Sequence, residues 1–246
     1  MNKLIGISGK IGSGKDTAAL IIKILSVHSE LSDKSIAHML TNPSPTLHGS
    51  DWTVKKFAGK LKEVASLLTG VPAHKFEDQD FKKTNLSSDW QTWYPYIDRP
   101  EPMTVREFLQ KLGTEAMRQG LHTNVWVNAL FADYTRVGRF VRVTEDKLEE
   151  WEDGEFPNWI ITDCRFPNEA VAIREREGVL LRLNRNGETG EHISETALDN
   201  FEFDYVIENT GSLEELVAKI RVFYDKYFSS TKDDTNKPTQ LRDILS

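Results

Sequence analysis

Apolar residues fall along this chain in two rhythms, short unbroken runs and longer stripes at helical spacing. The run Leu4-Ile5-Gly6-Ile7-Ser8 reads as a buried strand, and Ala18 to Leu25, apolar on nearly every side, as a largely buried helix. Ser29 to Ser50 is polar, contains Asn42-Pro43-Ser44-Pro45, and reads as a loop. Trp52 to Phe57 alternates as a second strand does. Leu61, Val64, Ala65, Leu67 and Leu68 then repeat at close to helical spacing, and Gly70 ends that helix. Residues 73 to 101 have no period but are crowded with Lys82, Lys83, Trp90, Trp93, Tyr94, Tyr96 and Arg99. A stretch of that length within a domain reads as a lid or binding loop.

Thr104-Val105-Arg106-Glu107 has the form of a capping box. Val105, Phe108, Leu109, Leu112 and Ala116 mark the buried stripe of its helix, leaving Arg106 and Gln110 together on another face. A further helix is expected from Asn124 to Tyr134, and the acidic stretch Glu145 to Glu155 reads as a solvated insertion. Trp159 to Asp163, Val179 to Leu183 and Asp204 to Ile207 read as strands. A helix carrying Arg165-Phe166-Pro167-Asn168-Glu169 at its start runs to near Gly178. Ser212-Leu213-Glu214-Glu215 is a second capping box, opening a long stripe through Leu216, Val217, Ile220, Phe223 and Tyr227. There are no internal repeats. Strands alternating with helices predict an α/β fold, a parallel sheet with helices on both faces. One domain is expected over residues 1–228, with a helical acceptor-binding and lid region at about 73–136 and a mobile tail at 229–246.

Composition narrows the partners. Asp and Glu (38) outnumber Lys and Arg (31), for a net charge of −7, which argues against broad nucleic-acid binding. A local cluster of cations can still serve a small anionic substrate. The single cysteine, Cys164, excludes an internal disulfide and suits a reducing compartment. No apolar run reaches membrane-spanning length, and the first strand begins almost at Met1. The expectation is a cytoplasmic protein without a signal peptide.

The chemistry concentrates between the first strand and the first helix. Gly9-Lys10-Ile11-Gly12-Ser13-Gly14-Lys15-Asp16-Thr17 stands where a phosphate-binding loop belongs, a P-loop in its strand–turn–helix context. Glycines let successive N–H groups turn inward, the helix start adds partial positive charge, and Lys15 adds a full one. The pattern departs from G-x-x-x-x-G-K-[ST] at Asp16, where a hydroxyl that helps hold Mg²⁺ usually stands. The bland alternative is a glycine-rich turn with a helix-capping aspartate.

Several segments together resemble the deoxynucleoside monophosphate kinases of bacteriophages and some bacteria. They are Gly14-Lys15-Asp16-Thr17, Phe57-Ala58 with Leu61-Lys62-Glu63, and Leu109 to Glu115. Thr162 to Glu169, His192-Ile193-Ser194-Glu195 and Asn209-Thr210-Gly211-Ser212 complete the set, spread over roughly residues 3 to 228. The resemblance implies a P-loop NTPase-type fold, ATP and Mg²⁺ as cofactors, and transfer of the γ-phosphoryl of ATP to a nucleoside monophosphate. It implies nucleotide partners, neither nucleic acid nor membrane, and allows for a homodimer. A P-loop kinase of another small metabolite, of the dephospho-coenzyme A or phosphomevalonate type, is the neighbouring reading. A non-catalytic ATP-binding module is the more distant one.

On this reading Gly9, Gly12, Ser13, Gly14, Lys15, Asp16 and Thr17 bind ATP, with Lys15 spanning the β- and γ-phosphates and Thr17 supplying a hydroxyl. Asn209 and Gly211 follow the last strand, where related kinases hold the adenine. Asp163, past an apolar strand at the ligand-binding edge of an open sheet, is expected with Asp16 to order Mg²⁺ through water; a helix cap is its alternative. Arg165 is placed to touch phosphates and joins Lys15 and Asp163 in the catalytic set. Arg106, Gln110, Arg118 and Lys82 are the acceptor-binding candidates, each against the alternative of a surface salt bridge or solvated base. Trp90, Trp93 and Tyr94 stack on a base or pack a lid. His192 is expected to be structural.

Overall fold

A computed structural model describes residues 3–42, 49–91, 101–141, 150–152, 154–185 and 196–229. Its centre is a five-stranded, wholly parallel sheet in the order β2-β5-β1-β6-β7. The strands are β1 (Leu4–Ser8), β2 (Trp52–Lys55), β5 (Asn158–Ile161), β6 (Val179–Asn184) and β7 (Tyr205–Glu208). β1 is buried along its whole length and β6 along all but its last residue, as strands covered on both faces must be. The registers Ile5 with Ile160 and Ile5 with Val179 place the end of β1 at the middle of the sheet's carboxyl edge.

Three helices cover one face: α1 (Lys15–Val27), α2 (Asp33–Thr41) and α7 (Leu213–Phe228). Their buried core joins Ile21, Ile22, Ile24 and Leu25 of α1 to Leu216, Val217, Ile220 and Phe223 of α7. The other face packs Trp126, Leu130 and Phe131 of α5 (Val125–Phe131) and Ala170 and Ile173 of α6 (Pro167–Arg174) against Leu4, Trp159 and Leu180. A third cluster, Ala65, Phe76, Val105, Phe108 and Leu112, lies between α3 (Phe57–Thr69) and the helix that begins at Val105. The architecture is the α/β fold of P-loop NTPases.

Local detail follows the sequence with instructive exceptions. Thr104 Oγ1 accepts from Glu107 N (3.1 Å) and Ser212 Oγ from Glu215 N (3.2 Å), as the two capping boxes predict. The Glu107 carboxylate pairs with Lys111. Gly70 ends α3 with φ 72°, a left-handed conformation that suits glycine. The stretch read as a loop after α1 contains α2, capped by Ser32, whose Oγ accepts from Ser35 N (3.2 Å). Its anchor is the single buried Ile36, and two turns with one buried residue leave little periodicity to read. Phe57, expected at a strand end, begins α3. Residues 73–91 carry three short 3₁₀ turns, Ala73–Glu77, Phe81–Lys83 and Ser88–Trp90.

The helix after Thr104 opens as α4 (Val105–Gln110) and widens into a π-helical segment, Lys111–Gln119. Gly120 N donates to Glu115 O (3.0 Å) at its end, the five-residue spacing of that geometry. β3 (Arg139–Val141) and β4 (Glu150–Glu152) pair antiparallel, so part of the acidic stretch is a strand. Trp93, Tyr94, Tyr96, Arg99, His192 to Glu195 and the tail beyond Ser229 lie outside the described residues. Among the described residues, no helix is long and apolar enough to cross a membrane.

Candidate functional site

The glycine-rich loop leaves the end of β1 and enters α1 through Gly14, whose φ of 96° is left-handed and whose added Cβ would lie 2.9 Å from Asn209 Nδ2. Side chains from three directions hold the loop's carbonyls. Lys15 Nζ donates to Gly9 O (2.6 Å) and Lys10 O (2.7 Å), Arg185 Nη1 to Gly12 O (3.2 Å), and Asn209 Nδ2 to Ser13 O (2.9 Å). A peptide unit is planar and trans, so holding Ser13 C=O toward Asn209 turns Gly14 N–H the opposite way. The first α1 bond runs from Ala18 N to Gly14 O, so the N–H groups ahead of it have no intrahelical acceptor. The result is a set of backbone donors at a helix start beside the Lys15 ammonium, an anion cradle. Thr17 sits half-buried on the first helical turn.

Asp16 points along the sheet edge with its side chain 72% exposed. Its Oδ1 accepts from Thr162 Oγ1 (2.9 Å) at the end of β5 and pairs with Lys56 Nζ (3.0 Å) at the end of β2. Partial burial works to raise its pKa, but the hydrogen bonds and charge of Lys56, with Thr162, outweigh it and hold the carboxyl below its ordinary value. Asp16 and Thr162 together are hard oxygen donors beside the phosphate cradle, a set that fits Mg²⁺ when nucleotide and water supply the remaining ligands. Among the described residues, no group of three or more His, Cys, Asp or Glu gathers to form an all-protein metal cage.

Asp163, expected beside the metal, is buried, and each of its oxygens accepts a backbone N–H. Its Oδ1 accepts from Phe57 N (2.8 Å) and its Oδ2 from Ala58 N (2.9 Å), so it caps α3 from across the sheet edge. Burial, which these bonds and the nearby Arg165 only partly offset, pushes its pKa up. Two residues on, the turn into α6 is built on buried Glu169. Its Oε2 accepts from Arg165 N (2.8 Å) and Phe166 N (3.1 Å), and its Oε1 from Arg118 Nη2 (2.6 Å). Arg118 also lies over the Phe166 ring at 4.3 Å. Arg118 therefore fastens the helical wall to the Arg165 turn.

The remaining acceptor candidates lie on the far side of α3. Arg106 donates to Gln79 Oε1 (3.3 Å), and Gln110 is exposed one turn along. Burial first, then the charges of Lys62, Arg106 and Arg165, hold the Lys82 ammonium below its ordinary pKa, against an opposing pull from Glu77. These four cations belong to one electrostatic neighbourhood, in a chain whose net charge is −7. Lys62, buried on α3, pairs with Glu77. Trp90 packs edge-on against Phe108 (4.8 Å) in the third core cluster, so packing accounts for it.

Sequence reasoning left out Lys56, Lys62, Arg185 and Glu169 as site residues. Lys62 and Glu169 fall within segments that carried the resemblance, and Lys56 directly precedes one. Arg185 carries no such signal. A cavity of about 400 Å³ opens where Arg185 and Lys10 meet Leu198, Phe201 and Phe203. Gly211 lies on the turn after β7, where an added Cβ would collide with the Glu215 carboxylate.

Fold and cradle define an α/β P-loop protein. The family model for deoxynucleotide monophosphate kinase matches residues 54–220, and the chain belongs to that family. Among curated relatives, the deoxynucleotide monophosphate kinase of Escherichia phage RB69 is 29% identical over 142 residues, covering 55% of this chain and 56% of that protein. The enzyme of the same name from Enterobacteria phage T4 is 30% identical over 120 residues, covering 48% and 44%. A protein of Acanthamoeba polyphaga mimivirus is 25% identical over 230 residues, covering 88% and 93%. The chain thus spans about half the length of the two phage relatives it matches.

Asp163→Ala should cost about 1 to 2 kcal/mol in urea unfolding, the scale of a lost helix cap. An unchanged midpoint would show that α3 does not depend on the carboxylate.

Proposed function

We propose that this protein is an ATP-dependent deoxynucleoside monophosphate kinase. The observation that carries the reading is that the chain gathers two groups of cations. The P-loop with Lys15 is one, and the neighbourhood of Lys62, Lys82, Arg106 and Arg165 is the other. Two phosphate-bearing substrates must approach each other, and cations on both sides reduce that repulsion. Family membership supports the choice of a deoxynucleoside monophosphate as acceptor.

In this mechanism the N–H groups of Gly12, Gly14 and Lys15 bind the β- and γ-phosphates while Ser13 N stays on Lys10 O, and Lys15 Nζ leaves the loop carbonyls to span the phosphates. Thr17 donates its hydroxyl to phosphate. Asn209 keeps the loop in shape, and the turn from Asn209 to Gly211 after β7 is where the adenine would lie. Asp16 and Thr162 would hold Mg²⁺, directly or through water; the metal would screen charge and orient the β- and γ-oxygens. Asp163 secures α3 with both oxygens, and any part it takes in ordering Mg²⁺ runs through water. Arg106, Gln110, Lys82 and Lys62 receive the acceptor, and Arg118 acts through Glu169 by fixing the turn that presents Arg165. A phosphate monoester has a second pKa near 6, so at neutral pH the acceptor oxygen is already mostly deprotonated. No side chain needs to serve as general base.

ADP formation from ATP and Mg²⁺, measured with a panel of deoxy- and ribonucleoside monophosphates and with no acceptor, tests the reading. Acceptor-independent hydrolysis alone, or no turnover with any member, would overturn it. Lys15→Ala should fold normally and lose roughly 10² to 10³ in kcat, the scale of one preorganised electrostatic contact. Near-native kcat would remove the loop from the mechanism. Lys62→Met should raise the acceptor KM roughly tenfold and leave the ATP KM unchanged, as loss of a charge-assisted contact on one substrate does. Equal acceptor KM values in the two proteins would reduce Lys62 to a structural partner of Glu77.

A further inference from the structure

Lys56 is the last residue before α3, with an extended backbone (φ −140°, ψ 135°), and its side chain is 33% exposed. Its ammonium pairs with Asp16 on the P-loop, and its charge also acts on Asp163 at the end of β5 and on Glu77 in the 3₁₀ turn beyond α3. One cation therefore stands among three carboxylates carried by three separate segments. The helix that carries Lys62, α3, starts at the next residue.

A solvent-accessible ion pair typically contributes about 0 to 1 kcal/mol, so stability gives little reason for a lysine here. Competition gives a better one. Asp16 Oδ1 is taken by Lys56 and Thr162, while Oδ2 has no partner among the described residues. A divalent cation reaching Asp16 meets Lys56 as a rival for the same negative charge. Binding of one cation weakens the hold of the other.

We propose that Lys56 is an exchangeable counter-ion, neutralising Asp16 until Mg²⁺ arrives with the nucleotide and then turning to the transferring phosphoryl group. The inference rests on the kinase reading above. In the transfer, the bond from the γ-phosphorus to the bridging oxygen breaks and its electron pair stays with ADP, while an acceptor phosphate oxygen forms the new bond. Lys56 contributes charge alone and takes no part in bond making.

The test measures metal affinity apart from turnover. Mn²⁺ binding to the protein–ADP complex is followed through the spin-resonance signal of free Mn²⁺, for wild type, Lys56→Met, Lys56→Gln, Asp16→Asn and the Lys56→Met/Asp16→Asn double variant. Removing the rival should tighten Mn²⁺ binding about two- to fivefold in both Lys56 variants, the equivalent of releasing one such ion pair. Asp16→Asn should weaken it, and Lys56→Met should have no further effect in that background. The same Lys56 variants should lose about 10²-fold in kcat with an unchanged melting temperature, since a charge directed at the transition state is gone. A merely structural lysine would not tighten metal binding. Unchanged or weaker Mn²⁺ affinity in either Lys56 variant, or an equal shift without Asp16, overturns the proposal. Absence of turnover in the wild-type protein would instead overturn the kinase reading, so the two failures are distinguishable.

Discussion

A carboxylate at the end of β5 fixes the first turn of a helix that begins 106 residues earlier in the chain. The segment that opens α3 has no capping side chain of its own, because Lys56 stands at the cap position and sends its ammonium to Asp16. Asp163 supplies the missing acceptors, one oxygen to each of the first two N–H groups. The bonds are buried, so water cannot readily replace them. Both the placement of α3 and the position of Lys62 depend on this clamp. So does Lys56, whose backbone is held one residue from it. The strand-end aspartate thus organises the start of α3 and the side chains carried there.

Charge is distributed by the same economy. A chain with seven excess negative charges brings Lys62, Arg106 and Arg165 within electrostatic reach of Lys82. Like charges so placed repel one another, and that repulsion adds to burial in lowering the Lys82 pKa. The arrangement becomes favourable when an anion enters, which is what a phosphate-binding wall requires. Glu77 beside Lys62 and Glu169 beside Arg118 relieve part of the repulsion and leave the wall ordered.

Much of this was legible in the sequence because its signals are local. The buried runs of β1 and β6, the P-loop spacing and the Thr104 and Ser212 caps need only neighbouring residues to be interpreted. What escaped depends on partners far along the chain. The capping role of Asp163 was an open alternative, since the sequence around Asp163 does not reveal that Phe57 and Ala58 lack a cap. Lys56 looks like one of two adjacent surface lysines until β2 and β5 lie side by side. Helix α2 gives a single buried residue to a core made by others, too few to set a period. Arg118 could be listed as a cation but not assigned, because its partner Glu169 lies 51 residues away.

The helix from Val105 to Gln119 shows why spacing alone misplaces charges even where the element is correctly expected. Drawn as a regular α-helix, it advances each residue by the same angle and sets Arg106 and Arg118 on different faces. The wider turns from Lys111 onward advance each residue less, and swing Arg118 back toward the side that Arg106 faces. The packing around this stretch goes with the widening. Gly113 lies so close to α3 that an added Cβ would sit 2.9 Å from Leu61 Cδ2, and its carbonyl accepts from Trp126 Nε1 (3.0 Å). That indole bond ties the segment to α5 and so to the core on the α6 face of the sheet. The guanidinium at one end of the helix then reaches Gln79 beside Lys82, and the one at the other end reaches Glu169 beneath Arg165. A single helix thus joins Gln79 to the Arg165 turn, and its irregular turns help it reach both.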